Sequence, residues 1–196
     1  MADILLNDRS SPRALLETRR SGRPRDMVAP GPDAAQLAAM LAIAARTPDH
    51  GKLAPWRFVV VGADQRERLA QLITTAYRAE RPQAARTEIE ALEAFARQAP
   101  ALVIVLSSPR PTSHIPLWEQ ELSAGAACMN LLHAAHALGF VGGWVTGWPA
   151  YSDAVRDAFA TAPERIAGFV FFGTPGAPIE ERPRPDLGTL ASHWRG

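Results

Sequence analysis

From residue 117 to residue 138 the chain reads as one long helix with almost no polar side. Leu122, Ala126, Met129, Leu132 and Leu138, with alanines between them, put apolar groups on nearly every face. An ordinary surface helix keeps a wide polar stripe. A helix without one has to be covered all round, in a core or at an interface. This segment is our candidate for the core of a dimer.

Short apolar runs alternate with helical periods around it. Residues 56–61, 101–106, 140–145 and 166–172 read as buried strands. Ser10, Ser11 and Pro12 begin a first helix, with a serine cap and a proline in the first turn. That helix runs into Arg19 and Arg20, which complement its negative end. Pro32 and Asp33 begin a second, whose Leu37, Met40, Leu41 and Ala44 share one face and which stops at Thr47-Pro48. Residues 49–55 form a loop, 62–80 a helix, 83–98 a charged helix expected to be a solvated cover, and 153–160 a short helix. Residues 107–116, with three prolines, are expected to form a mobile loop. The proline- and arginine-rich tail, about 176–196, reads as an extended arm of the kind that wraps a partner subunit. Strands alternating with helices imply a three-layer α/β (α+β) architecture, in one domain spanning 1–196.

Twenty-one Lys and Arg against 20 Asp and Glu leave a net charge of +1. That balance gives no case for nucleic acid or an anionic membrane as partner. One cysteine, Cys128, excludes an intrachain disulfide and fits a reducing compartment. Met1 to Asn7 lacks the basic-then-apolar pattern of a leader, so the expected location is the cytoplasm.

Three segments carry candidate chemistry. Arg19, Arg20, Ser21 and Arg23 place three guanidiniums and a hydroxyl within five positions, a set that can grip a phosphate dianion. The same run also reads as a solvated helix end. Arg46-Thr47-Pro48-Asp49-His50, leading to Pro55-Trp56, is a polar loop between a helix and a buried strand, where Arg46 and His50 can donate to a ligand and Asp49 can cap. In Gly139–Gly147, four glycines let the backbone approach something flat, with Trp144 and Thr146 on the same turn. An equally open reading is a tight turn and a bulged strand. The glycine spacing is not GxGxxG and follows a helix, which excludes a Rossmann site. His133 and His136 have a spacing that metal ligands can use, but no HExxH or paired-cysteine motif supports them, and no metal is expected. Glu119 and Glu121 face different directions on a helix, and Cys128 sits among apolar residues.

Taken together and in order, these segments resemble the FMN-dependent nitroreductase family, most closely its YdjA-like branch. The Arg19-Arg20-Ser21 helix end, Arg46 to His50, Pro55-Trp56, Trp118-Glu119-Gln120-Glu121, Gly139 to Trp144 and Phe172-Gly173-Thr174-Pro175 carry the likeness, which spans about residues 11–176. It implies a nitroreductase-like sandwich with a central mixed sheet, working as a homodimer with FMN at the subunit interface. By the same likeness Arg19, Arg20, Ser21 and Arg23 would hold FMN. Arg46 and His50 would join them from the same or the other subunit, and Trp144, Val145 and Thr146 would line the cofactor. Ala134, Ala135, His136, Ala137, Leu138 and Gly139 correspond to a stretch assigned to nicotinamide contact. The flavin, not a side chain, would then carry the catalysis. NADH or NADPH would be the donor, and a nitroaromatic, quinone or similar small molecule the acceptor, in a ping-pong hydride transfer. Two positions depart from the pattern: Ala54 stands where the family often has Gln, and Val145 where the branch has Arg. These departures keep open a flavin-binding protein without turnover, for storage or sensing. A metal-dependent hydrolase built on His133 and His136 is the third reading. The tail beyond residue 176 matches no part of the family pattern, and Arg182 and Arg184 in it are candidates to reach the phosphate.

Overall fold

The computed structural model describes residues 5–196. Residues 1–4, the first part of the segment expected to carry no leader, lie outside the described residues. The elements in chain order are α1 (Pro12–Thr18), β1 (Met27–Val28), α2 (Ala34–Ala44), β2 (Trp56–Val61), α3 (Arg66–Glu80), α4 (Arg86–Arg97), β3 (Ala101–Ser107), α5 (Leu117–Ala137), β4 (Val141–Val145), α6 (Trp148–Tyr151), α7 (Asp153–Arg156), β5 (Arg165–Pro175) and α8 (Leu187–Leu190).

The sheet is antiparallel throughout the described residues, which corrects the expected mixed sheet. β3 is flanked by β2 and β5, and β4 and the short β1 also pair with β5. The pairings explain the difference. β3 and β4 are joined through the single helix α5 and run in the same direction. The long β5 lies between them, antiparallel to both, at Ala101↔Phe172 on one side and Val141↔Gly173 on the other. A parallel crossover exists, but no parallel ladder results.

Alternation along the strands divides the core into two layers. Leu102, Ile104 and Leu106 of β3 with Phe169 and Phe171 of β5 face α3 and α4. Val103, Val105, Val170 and Phe172 face α2 and α5, where they meet Met40, Cys128 and Leu131. This is the expected three-layer arrangement. Burying one such side chain is worth about 1.5–3 kcal/mol. The charged helix α4 is more than a cover: Ile89 and Ala96 are buried. Its Phe95 meets Phe169 and Phe171 edge-on, with ring centroids 5.2 and 5.5 Å apart.

Two cations, the buried Arg66 and the exposed Arg57, tie elements together. Arg66, at the start of α3, reaches the carbonyls of Val61, Ala96 and Gln98 at 3.4, 3.0 and 3.2 Å, so one guanidinium closes the end of β2 and the C-terminus of α4. Arg57 on β2 holds Glu164 through two hydrogen bonds, at 2.7 and 2.9 Å, and Ser108 also bonds that carboxylate. The 107–116 loop, expected to be mobile, is fastened by the buried Gln120. Its Oε1 accepts the Arg110 N–H at 2.7 Å and its Nε2 donates to the Ile115 carbonyl at 2.9 Å.

Candidate functional site

The Arg19–Ser21 segment starts where α1 stops. Ser11 caps the helix by accepting the Ala14 N–H, and Arg19 already leaves helical geometry, so Arg19 and Arg20 stand beyond the helix rather than in its last turn. Their backbone is held from three sides. Asn7 accepts the Arg20 N–H at 2.8 Å and donates to the Arg20 carbonyl at 3.1 Å. Gly22 N–H donates to the Gly142 carbonyl of β4 at 3.2 Å. The C-terminal arm supplies the third side: Arg20 Nε donates to the Glu180 carbonyl, and Arg184 Nη2 donates to the Arg19 carbonyl. The arm therefore first folds across its own chain, where Ile179 packs against the core, instead of leaving directly for a partner.

Arg20, Arg182 and Arg184 lie close enough to Arg19 to act on its charge; Glu181 accepts from Arg184 at 2.7 Å and lies 3.9 Å from Arg20, and Asp26 and Glu180 border the same groove. Burial, with Arg184, Arg20 and Arg182 close by, pushes the Arg19 pKa down. Such a cluster is short of negative charge, and a phosphate dianion would complete it. Arg19 Nη1 donates to Ser21 Oγ at 3.2 Å, which fixes the hydroxyl beside the guanidinium. Arg20, Ser21, Arg23 and arm residues 177–183 border a groove of about 600 Å³. Asn7 is a contribution that local sequence did not reveal, whereas the candidate tail cations Arg182 and Arg184 are brought near Arg19. Asn7 lies a helix away, and the two arginines sit in a tail without periodicity.

The 46–50 loop is fastened to α5. Asn130 Nδ2 donates to Thr47 Oγ1 at 2.8 Å, and Ser123 Oγ donates to the Pro48 carbonyl at 2.6 Å. His50 Nδ1–H donates to Glu119 Oε2 at 2.7 Å, a direction set by a carboxylate that only accepts. Asp49 caps the turn, taking the Leu53 and Ala54 N–H groups. Arg46 is exposed. Within one chain His50 sits at the start of α5, whereas Arg19 lies near His133 and His136 at its end. The helix has 21 residues, about 30 Å, so one chain does not bring these two groups together.

The glycine segment departs from its expected role. A Cβ at Gly143 would stand 2.8 Å from the Gly22 carbonyl oxygen, and one at Gly142 2.7 Å from Leu132 Cδ2. These glycines admit the chain's own backbone and core, not a flat ligand. Trp144 is partly exposed; its indole donates to the Ala167 carbonyl at 3.0 Å, lies across Gly168 and reaches Gly125 of α5. The Val145 side chain packs into the core on the α3 and α4 side, leaving its backbone beside the half-buried Thr146. Of the stretch likened to a nicotinamide contact, Ala134, Ala135 and His136 are buried inside the chain and offer no surface. Ala137, Leu138 and Gly139 are exposed. His136 Nε2 is engaged by the Gly142 N–H, and among the described residues no three His, Cys, Asp or Glu side chains converge on a metal position. Burial raises the Cys128 pKa to about 12, so it is an inert core thiol.

Comparison with known proteins decides the family. The model of the nitroreductase family matches residues 16–174. This chain belongs to the nitroreductase family. It is 34% identical over 165 residues to "Putative NAD(P)H nitroreductase YdjA" of Escherichia coli K12, covering 82% of this chain and 86% of that protein. The fold matches that of a nitroreductase-like family protein from Bacillus cereus with a TM-score of 0.79, at 20% identity and over 95% and 97% of the two chains. A nitroreductase with bound FMN from Bacteroides fragilis has a TM-score of 0.67, at 21% identity and over 91% and 96% of the chains. No helix among the described residues is long and apolar enough to cross a membrane.

Proposed function

We propose that this nitroreductase-family chain is an FMN-dependent NAD(P)H oxidoreductase that works as a homodimer on electron-poor small molecules such as nitroaromatics or quinones. The observation that carries this reading is the grouping of Arg20, Arg182 and Arg184 about Arg19, which donates to Ser21. When bound, FMN would supply two-electron chemistry, taking hydride from NADH or NADPH and passing it to the acceptor in alternating, ping-pong half-reactions.

The chain's own work is placement. The four arginines and Ser21 would bind the phosphate, with Arg23 at the mouth of the groove. Trp144, the backbone of Val145 and Thr146 would line the rest of the cofactor and exclude water from it. Positive charge held in place before the reaction favours a cofactor that becomes more anionic on reduction. Glu119 orients His50 and, with Arg46, completes the site. Ala137, Leu138 and Gly139 are the surface left for nicotinamide contact.

A second copy joins the half-sites. Trp118 and Leu122 on α5 are 68% and 53% exposed. With the exposed Ala126 they form one apolar stripe along the face that needs covering. Two α5 helices packed antiparallel on that stripe would set one chain's Arg46 and His50 beside the other's Arg19 and Ser21. The test is the double variant Arg19→Ala with Arg20→Ala, which is expected to lose FMN while keeping the wild-type circular dichroism. Stoichiometric flavin retained by that variant would overturn the phosphate assignment.

A further inference from the structure

One backbone contact between the Arg19–Gly22 segment and the sheet rests on a buried imidazole. His136, in the last turn of α5, is 1% exposed. Its Nε2 accepts the Gly142 N–H at 3.2 Å, and the Gly142 carbonyl accepts the Gly22 N–H at 3.2 Å. Both backbone groups of Gly142 are thus engaged outside the strand ladder: one by His136, the other by the residue that follows Ser21. Because an N–H only donates, Nε2 carries no proton, and the neutral ring has its hydrogen on Nδ1. A leucine would fill the same volume, but it could not answer the Gly142 N–H.

We infer that His136 is a positioning residue for the phosphate end of the site: it fixes Gly142, Gly142 fixes Gly22, and Gly22 sets where Ser21 and Arg19 stand. The inference rests on the flavin reading above. It also gives His136 a role that its burial permits, in place of the nicotinamide contact that burial denies it. Only the neutral ring can do this, since a doubly protonated imidazole would turn a second N–H toward Gly142. The groups that face it favour that state: Arg19 from beyond the end of α1 and His133 one turn earlier on α5, in addition to burial.

The test compares FMN with riboflavin, which has no phosphate, titrated against the full flavin-free chain. His136→Leu is expected to weaken FMN by about tenfold, the worth of one buried backbone hydrogen bond, and to leave riboflavin affinity unchanged. His136→Gln carries an acceptor oxygen with the reach of Nε2 and is expected to restore FMN affinity. If the leucine chain does not fold, His136→Asn, whose oxygen falls short of Gly142, takes its place with the same expectation. Wild-type FMN affinity in the acceptor-less variant, or an equal loss for FMN and riboflavin, would overturn the inference. A wild-type chain that binds no FMN would instead overturn the proposed function on which it rests.

Discussion

At the scale of single residues, the structure turns on polar groups that answer backbone rather than one another. Asn7 closes two hydrogen bonds on Arg20. Asn7→Ala is expected to weaken FMN binding by roughly 1–2 kcal/mol with little change in melting temperature, read by flavin titration and a thermal scan. Arg66 serves four carbonyls, those of Val61, Ala96, Gln98 and Ala99, and burial lowers its pKa to about 10. Arg66→Met leaves those carbonyls unanswered and should cost about 2–4 kcal/mol, seen as a lower urea midpoint at unchanged slope. Two groups give acid sensitivity in separate pH windows. His136 ordinarily titrates at 6.5, but burial, Arg19 and His133 hold it at about 4 in the fold. The unfolded chain therefore binds the extra proton first. Stability is full above 6.5 and falls as pH drops toward 4, by up to about 3 kcal/mol. Glu164 is held at about 2, against an ordinary 4.5, chiefly by its hydrogen bonds from Arg57, with Ser108 adding to them. Its contribution is present above 4.5 and lost as pH falls toward 2. His136→Gln should flatten the first window and leave the second, as measured by urea midpoints across pH.

At the scale of elements, what was legible followed burial. β2, β3, β4, β5 and α5 stand close to where apolar runs placed them, because strands covered on both faces have continuous apolar sequence. β1 and α6 are too short for any periodicity, and their residues are held by tertiary contact: Met27 opposite Pro175, and Trp148 against Tyr77. The three arginine and glycine motifs were visible. The side to which each glycine opens was not, because Gly142 and Gly143 meet Leu132 and Gly22 only after folding. Loop 107–116 reads as loose from its prolines, yet its anchor, Gln120, lies on the following helix. Gln120→Ala should speed amide exchange at Arg110 and destabilise the fold by about 1–3 kcal/mol. Unchanged exchange there would show that the glutamine does not hold the loop.

At the scale of the whole molecule, the long apolar helix accounts for both the core and the uncovered stripe. One face of α5 lies on the sheet through Cys128, Leu131 and Ala135; the opposite stripe with Trp118 and Leu122 is open in a single chain. Leu122→Arg is expected to give monomers by sedimentation equilibrium and to lower flavin affinity with them, since the half-sites at the two ends of α5 would separate. A dimer that survives this change would move the interface elsewhere. Flavin binding and turnover by this nitroreductase-family chain form one joint proposal. It is tested most directly by the visible spectrum of the FMN-loaded protein, before and after anaerobic NADH or NADPH and again after a nitroaromatic or quinone. The flavin bands are expected to bleach with the donor and return with the acceptor. A loaded protein whose bands persist with both donors would contradict that proposal and leave a flavin-binding protein without turnover.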